Sequence, residues 1–297
     1  MRALAEFIMR GRMQATLVVV GSAALPLLFW LSAAAGSLVL LRRGLNDALS
    51  VVLWAMLPAV GWWYFGEPRT LLVLLGTLAL ALLLRASGSW ARVTVASVAL
   101  GVVYGLTLGS AFREPIETLA TELQKLMPQM LGDLHQQMGE GERARLNALL
   151  APVLTGLMAG LLQAASLLCL MLGRYWQAVL YNPGGFGREF RALRLPPALA
   201  LPLLAGMLLG PNLGVQAAML TPLCSVPLAF AGLALIHGLV AQGRLGRFWL
   251  VGLYVTLVLF MQLTYPLLVV FALVDSLIDF RGRPARNDGA GSANGEG

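Results

Sequence analysis

The chain has 297 residues, of which 58% are hydrophobic and only 12% charged, and its mean hydropathy of +0.77 excludes an ordinary water-soluble domain. Its net charge of +7 would suit a nucleic-acid partner, but the basic residues form short clusters between apolar stretches and no continuous stripe. That pattern reads as membrane topology signals and excludes nucleic acid. Cys169 and Cys224 both fall inside apolar stretches, which argues against a disulfide framework or a thiolate metal site.

Eight apolar stretches follow one another, and together they predict an all-α polytopic membrane protein. The first, 13–41, is much longer than a signal-peptide core of about 7–15 residues, so it is expected to remain in the mature protein. Pro26 sits near its middle, where a proline removes a helical hydrogen bond and kinks or breaks the axis. Stretches 46–65, 70–84 and 93–111 come next, then a polar interruption at 112–147, then stretches 148–173, 196–209 and 213–239. The last stretch, 248–280, is again too long for one crossing and carries Tyr265 and Pro266 near its middle.

Topology follows from the retention of Lys and Arg on the cytoplasmic side. If all eight stretches cross once, the basic residues divide almost evenly between the two faces. If both proline-containing stretches fold back, all but Arg69, Arg113, Lys125, Arg143 and Arg145 lie on one face, and both termini are cytoplasmic. The hairpin reading is preferred, with 8–10 membrane segments in a bacterial inner membrane. Each half of a folded stretch has about 14–17 residues, short of the roughly 20 that cross the hydrocarbon, so re-entrant segments are expected. Irregular backbone at membrane depth is tolerated only where protein buries it or it lines a cavity, which makes the two breaks pointers to a binding site.

The transmembrane domain is placed at 1–283. Within its polar segment 112–147, Ile116, Leu119, Leu123, Leu126, Met130, Leu134 and Met138 recur at helical spacing among charged residues. This predicts an extracytoplasmic amphipathic insertion, either a cap on the membrane face or a lid over a cavity. Residues 284–297, rich in Gly, Ala and Asn, are expected to be a disordered cytoplasmic tail.

Small residues recur every fourth position at Ser97/Gly101/Gly105/Gly109, Gly156/Gly160/Ala164 and Gly206/Gly210/Gly214. Such faces let helix backbones approach closely; internal packing is the preferred reading, and docking of a partner is the alternative. Asp275 and Asp279 share one face of the last helix and are followed by Arg281 and Arg283. They could bind a cation or relay a proton, or form a helix end that meets cationic loops. His237 has no second histidine near it in sequence, so no metal is expected. Asn212, Gln163, Gln216 and Gln262 can bond between helices. Arg174, Tyr175 and Trp176 suit an interfacial anchor, as do Trp62, Trp63 and Tyr64 on the other side. Without a phosphate loop, nucleophile elbow or metalloprotease pattern, neither an enzyme nor a cofactor is expected.

The opening Pro26 hairpin leading to Leu41-Arg42-Arg43-Gly44, the Arg174 helix end, Leu195-Pro196, His237-Gly238-Leu239 and the ending from Leu273 to Arg283 together resemble the YybS-like bacterial membrane proteins, a family of unknown function (domain of unknown function 2232). That family is similar in turn to the substrate-capturing S components of energy-coupling-factor vitamin transporters. The resemblance implies small-molecule binding beneath outer loops. S components dock their coupling subunit through an Ala-x-x-x-Ala face on the first helix; here that spacing occurs at Ala55 and Ala59, in the second stretch.

The expected function is therefore to bind or transport a small molecule, with a membrane scaffold or assembly factor that docks other membrane proteins as the alternative. The cavity is expected near the Pro26 and Pro266 breaks, beneath 112–147, with Asn212, Gln262, Asp275 and Asp279 as further candidate ligand contacts.

Overall fold

The computed structural model describes residues 1–282, with all side chains in that range except Leu134 and His135. The expected 284–297 tail lies outside the described residues. Helices make up the fold, and no strand occurs among the described residues. Seven helices are long and apolar enough to cross a membrane, and an eighth is counted if one bent pair forms a single span. The chain is a multi-pass membrane protein.

A short amphipathic helix, α1 (Arg2–Arg10), buries Ala5 and Ile8 and leads into α2 (Arg12–Ala23). The backbone then breaks, and a 3-10 turn begins at Pro26, where a missing N–H costs nothing. Helix α3 (Phe29–Arg43) returns alongside α2: the Ser32 hydroxyl donates to the Val19 carbonyl at 2.8 Å, and Arg43 donates to the Met9 carbonyl at 2.6 Å. The first long stretch is thus a hairpin, with both of its open ends on the same side of the molecule.

Gly44 turns the chain at φ +98, a left-handed value that glycine adopts without Cβ strain, and starts α4 (Leu45–Tyr64). Arg12 and Asp47 pair across this end at 2.5 Å. At the far end, the Trp62 indole donates to the Ala24 carbonyl at 3.2 Å. Helix α5 (Arg69–Ser87) comes back, Ser89 caps the start of α6 (Trp90–Ala111), and α6 delivers the chain to the polar segment.

That segment forms α7 (Arg113–Leu131) and the short α8 (Asp133–Gln137). The chain re-enters through α9 (Glu140–Tyr181), a 42-residue helix roughly 63 Å long. A hydrocarbon core measures about 30 Å, so α9 is about twice as long as one crossing needs. Helix α10 (Gly185–Ala192) is short and amphipathic, and the axis turns by 66° between it and the α11 region. Helix α11 (Pro197–Leu209) rises to two 3-10 turns, and α12 (Leu220–Ala241) descends.

The final long stretch also folds back, but not at the proline. The break is at Phe260 (φ −130, ψ 46), between α13 (Phe248–Leu259) and α14 (Met261–Ile278). Pro266 lies inside α14, in its second turn. So near a helix start the missing amide costs at most one interior hydrogen bond, and the chain reverses where those bonds have already ended.

Packing divides the bundle into two groups that share α12. The larger core draws on α1 to α6, α9 and α12, and the smaller on α11, α12 and α14. Arg12, Arg43, Arg85, Arg174, Arg194 and Arg281 all reach one end of the bundle, tied there by Asp47, Glu189, Asp275 or backbone carbonyls. The opposite end holds Trp62, Phe112, Arg145 and Asn212.

Candidate functional site

The small-residue faces are consumed by internal crossings. A Cβ at Gly101 would stand 2.7 Å from Gln163 Oε1 and Leu223, and one at Gly156 would stand 2.7 Å from the Met219 backbone. Gly105 faces the Met219 sulfur, Gly206 the Cys224 sulfur and Gly210 the Ala217 carbonyl, each at 3.0 Å or less; Gly109 and Gly160 have ordinary contact distances. These positions bring α6 and α11 against α9, α12 and the 3-10 turn before α12. Gly214 falls outside the helices at φ +137. Isolated glycines that no repeat marked are equally tight: Gly173 against Ala34 and Ser37, Gly232 against the Leu268 carbonyl, and Gly76 under Tyr104.

Several polar groups inside the bundle are paired between helices, while Gln163 Oε1, Trp176 Nε1 and Ser276 Oγ are buried without a hydrogen-bond partner among the described residues. Gln163 donates to the Ser97 hydroxyl at 2.8 Å and to the Leu223 carbonyl at 3.3 Å. The Tyr104 hydroxyl reaches both the Leu72 carbonyl and Ser166. This is interhelical glue that needs no ligand.

The six candidate ligand residues do not converge. Pro26 packs within the α2–α3–α4 corner, while Pro266 is exposed on α14, which packs on α11, α12 and α13. The two prolines therefore border different packing groups. Asn212 accepts a bond from Arg145 at 2.8 Å at the end opposite the arginine cluster, and Gln262 is exposed on α14.

Asp275 and Asp279 form a structural closure at the arginine-rich end. Asp275 is buried, pairs with Arg281 at 2.6 Å and accepts the Phe280 N–H at 3.1 Å. Asp279, at a left-handed helix end, pairs with Arg194 at 3.2 Å and accepts the Gly282 N–H at 3.0 Å. Each carboxylate thus meets an arginine and a backbone N–H, an arrangement that fits acids meeting cationic loops at a helix end. A second clamp sits nearby: Arg174 grips Glu189 through two bonds, and the Trp90 indole donates to the same carboxylate at 3.2 Å.

The conspicuous space lies elsewhere. Helix α13 has no buried residue. It leans away from α12 and α14, leaving an apolar groove of about 820 Å³ lined by Leu235, Leu239, Trp249, Gly252, Leu267 and Phe271, among others. Two polar bonds fasten the second half of α13. The Thr264 hydroxyl donates to the Thr256 carbonyl at 3.2 Å. Two residues earlier on α13, the Tyr254 hydroxyl lies 3.2 Å from His237 Nε2, and His237 Nδ1 donates to the Leu233 carbonyl at 2.9 Å. His237 is a strut in this arrangement.

The chain matches no family model, no curated protein and no solved structure. The groove must then be read from its own chemistry. It contains no titratable side chain, and the hydroxyls of its two threonines donate to backbone carbonyls, so it can hold a molecule by shape and dispersion but cannot activate one. None of its residues stood among the candidates from the sequence; the one local signal was Gly252, a side-chain gap in an otherwise bulky run.

A smaller cavity of about 330 Å³ lies under the start of α7, bounded by Phe112, Ile116, Met158 and Leu161 and by the Glu67–Arg69 pair. Neither Pro26 nor Pro266 lines it.

Proposed function

We propose that this chain binds an apolar or amphipathic small molecule taken from the bilayer into the groove between α12, α13 and α14. The observation that carries the reading is α13 itself: it has no buried residue, its polar ties at Tyr254 and Thr256 both lie in its second half, and apolar space is left unfilled between it and α12 and α14. Lipid tails are as apolar as the groove, so burial alone gives no drive for a guest; the occupant is distinguished by fit. The resemblance to S-component-like proteins supports a binding role of this kind. The clustering of arginines at one end supports an inner-membrane setting with that end in the cytoplasm.

A Gly252→Trp variant tests this. A Cβ at Gly252 meets nothing within 4 Å, so an indole there occupies the groove without disturbing a packed neighbour. Native mass spectra of the detergent-purified protein are expected to carry a small-molecule or lipid adduct that Gly252→Trp loses. A wild-type spectrum without any adduct that Gly252→Trp removes would defeat the proposal.

A second reading, a scaffold for another membrane protein, is favoured by one observation: the amphipathic α7 leaves Leu119, Leu126 and Met130 exposed. Photocrosslinkers at these positions would trap a stoichiometric partner if it holds, and yield only the chain itself if it does not.

A further inference from the structure

At the arginine-rich end, separate from the groove, a cavity of about 400 Å³ is bounded by Arg188, Arg191, Arg194 and Arg281, with Asp279 and Gln242 on its other walls. Its four guanidinium groups fall into two classes. Arg194 and Arg281 are committed to Asp275 and Asp279, and Arg281 also donates to the Arg191 and Leu193 carbonyls at 2.8 and 2.9 Å. They hold the wall in shape. Arg188 and Arg191 have no carboxylate partner among the described residues, and both are exposed. The cavity therefore holds positive charge that its own carboxylates leave unbalanced.

Its place in the membrane selects the kind of anion. Arg188 and Arg191 occupy one face of α10, and Phe186 and Phe190 occupy the other, in contact with Trp90, Tyr175 and His237. The axis turns 66° from α10 to the α11 region, so if α11 follows the membrane normal, α10 lies nearer the membrane plane. Aromatic rings on the inner face and guanidinium groups on the outer face put the cavity at headgroup depth. Guanidinium pairs match phosphate oxygens with two parallel bonds, and basic pockets between membrane helices on the cytoplasmic side take anionic headgroups.

We infer that this cavity binds the phosphate of an anionic phospholipid headgroup, with Arg188 and Arg191 as the contacting residues and Arg194 and Arg281 as positioning residues. The site does not depend on the α12–α13–α14 groove and would stand if that reading failed.

The full-length protein in detergent, titrated with phosphatidylglycerol, with phosphatidylcholine or with inorganic phosphate and followed by native mass spectrometry, tests the inference. The wild type is expected to retain phosphatidylglycerol over phosphatidylcholine. The Arg188→Gln, Arg191→Gln pair is expected to weaken that retention roughly thirtyfold, from about 1 kcal/mol for each surface cation. Arg113→Gln, at the opposite end, serves as a charge control and should change nothing. Because Arg188 and Arg191 carry no structural pair, an unchanged melting temperature checks that the double variant is folded. Equal retention by wild type and double variant would overturn the site. Phosphate bound in place of lipid would overturn its assignment to a headgroup. A Gly252→Trp background that keeps the phosphatidylglycerol adduct would show that this adduct does not come from the groove.

Discussion

Asp275 and Arg281 face each other at 2.6 Å at the foot of α14, with their side chains 3% and 10% exposed. A neutral Asn at position 275 leaves a nearly buried guanidinium without its closest counter-charge, and loss of one partner of such a pair costs about 3–5 kcal/mol. Asp279, 44% exposed, forms a pair of the surface kind, worth about 1 kcal/mol or less. Thermal melting in a single detergent should therefore show a large loss for Asp275→Asn and a small one for Asp279→Asn. Equal losses would contradict the assignment of Asp275 as the closure.

Helix crossings make the second prediction. Gly156→Ala places a methyl group 2.7 Å from the Met219 backbone, which cannot move aside as a flexible side chain can, so overpacking should cost about 1–3 kcal/mol. Gly61→Ala adds its methyl group to empty space on α4 and should be neutral, or stabilising by up to about 1 kcal/mol. Melting curves of the two variants, compared side by side, decide between a packing role and mere helix composition.

Orientation is the third. Gln129 on α7 and Pro183 just beyond α9 are both exposed, at opposite ends of the bundle, while the native Cys169 and Cys224 are buried. A membrane-impermeant maleimide is expected to label Gln129→Cys in intact cells and Pro183→Cys only after lysis. The reverse pattern would put the arginine-rich end outside.

The parts of this fold that were legible from sequence are those in which one residue type forces a local outcome. Pro26 sits where the first long stretch turns, and the four-residue glycine repeats sit at close crossings, because a missing N–H or a missing Cβ acts wherever it is placed. The Phe260 reversal was not legible. It falls in an unbroken apolar run with no glycine or proline at the turn, and Pro266 pointed six residues too far along. The polar end of α9 was missed for a related reason: hydropathy marks where lipid ends, while backbone hydrogen bonding carries the helix on to Glu140 and Tyr181. The α13 groove depends on how far one helix leans from its neighbours, a relation between distant segments that no local pattern encodes. Asp275 and Asp279 were legible as a pair followed by Arg281, but Arg194 joins them only through tertiary structure, from 81 residues before Asp275.

Because α12 belongs to both packing groups, the order of synthesis constrains assembly. A nascent chain that has emerged as far as Ala241 can complete the larger core, but the face of α12 built around Gly232 stays bare until α14 arrives, and the arginine-rich end stays unlatched until translation has passed Arg281. A ribosome that stalls before that codon would leave in the bilayer a protein with most of its mass packed and one seam open, the sort of intermediate that membrane proteases are suited to recognise.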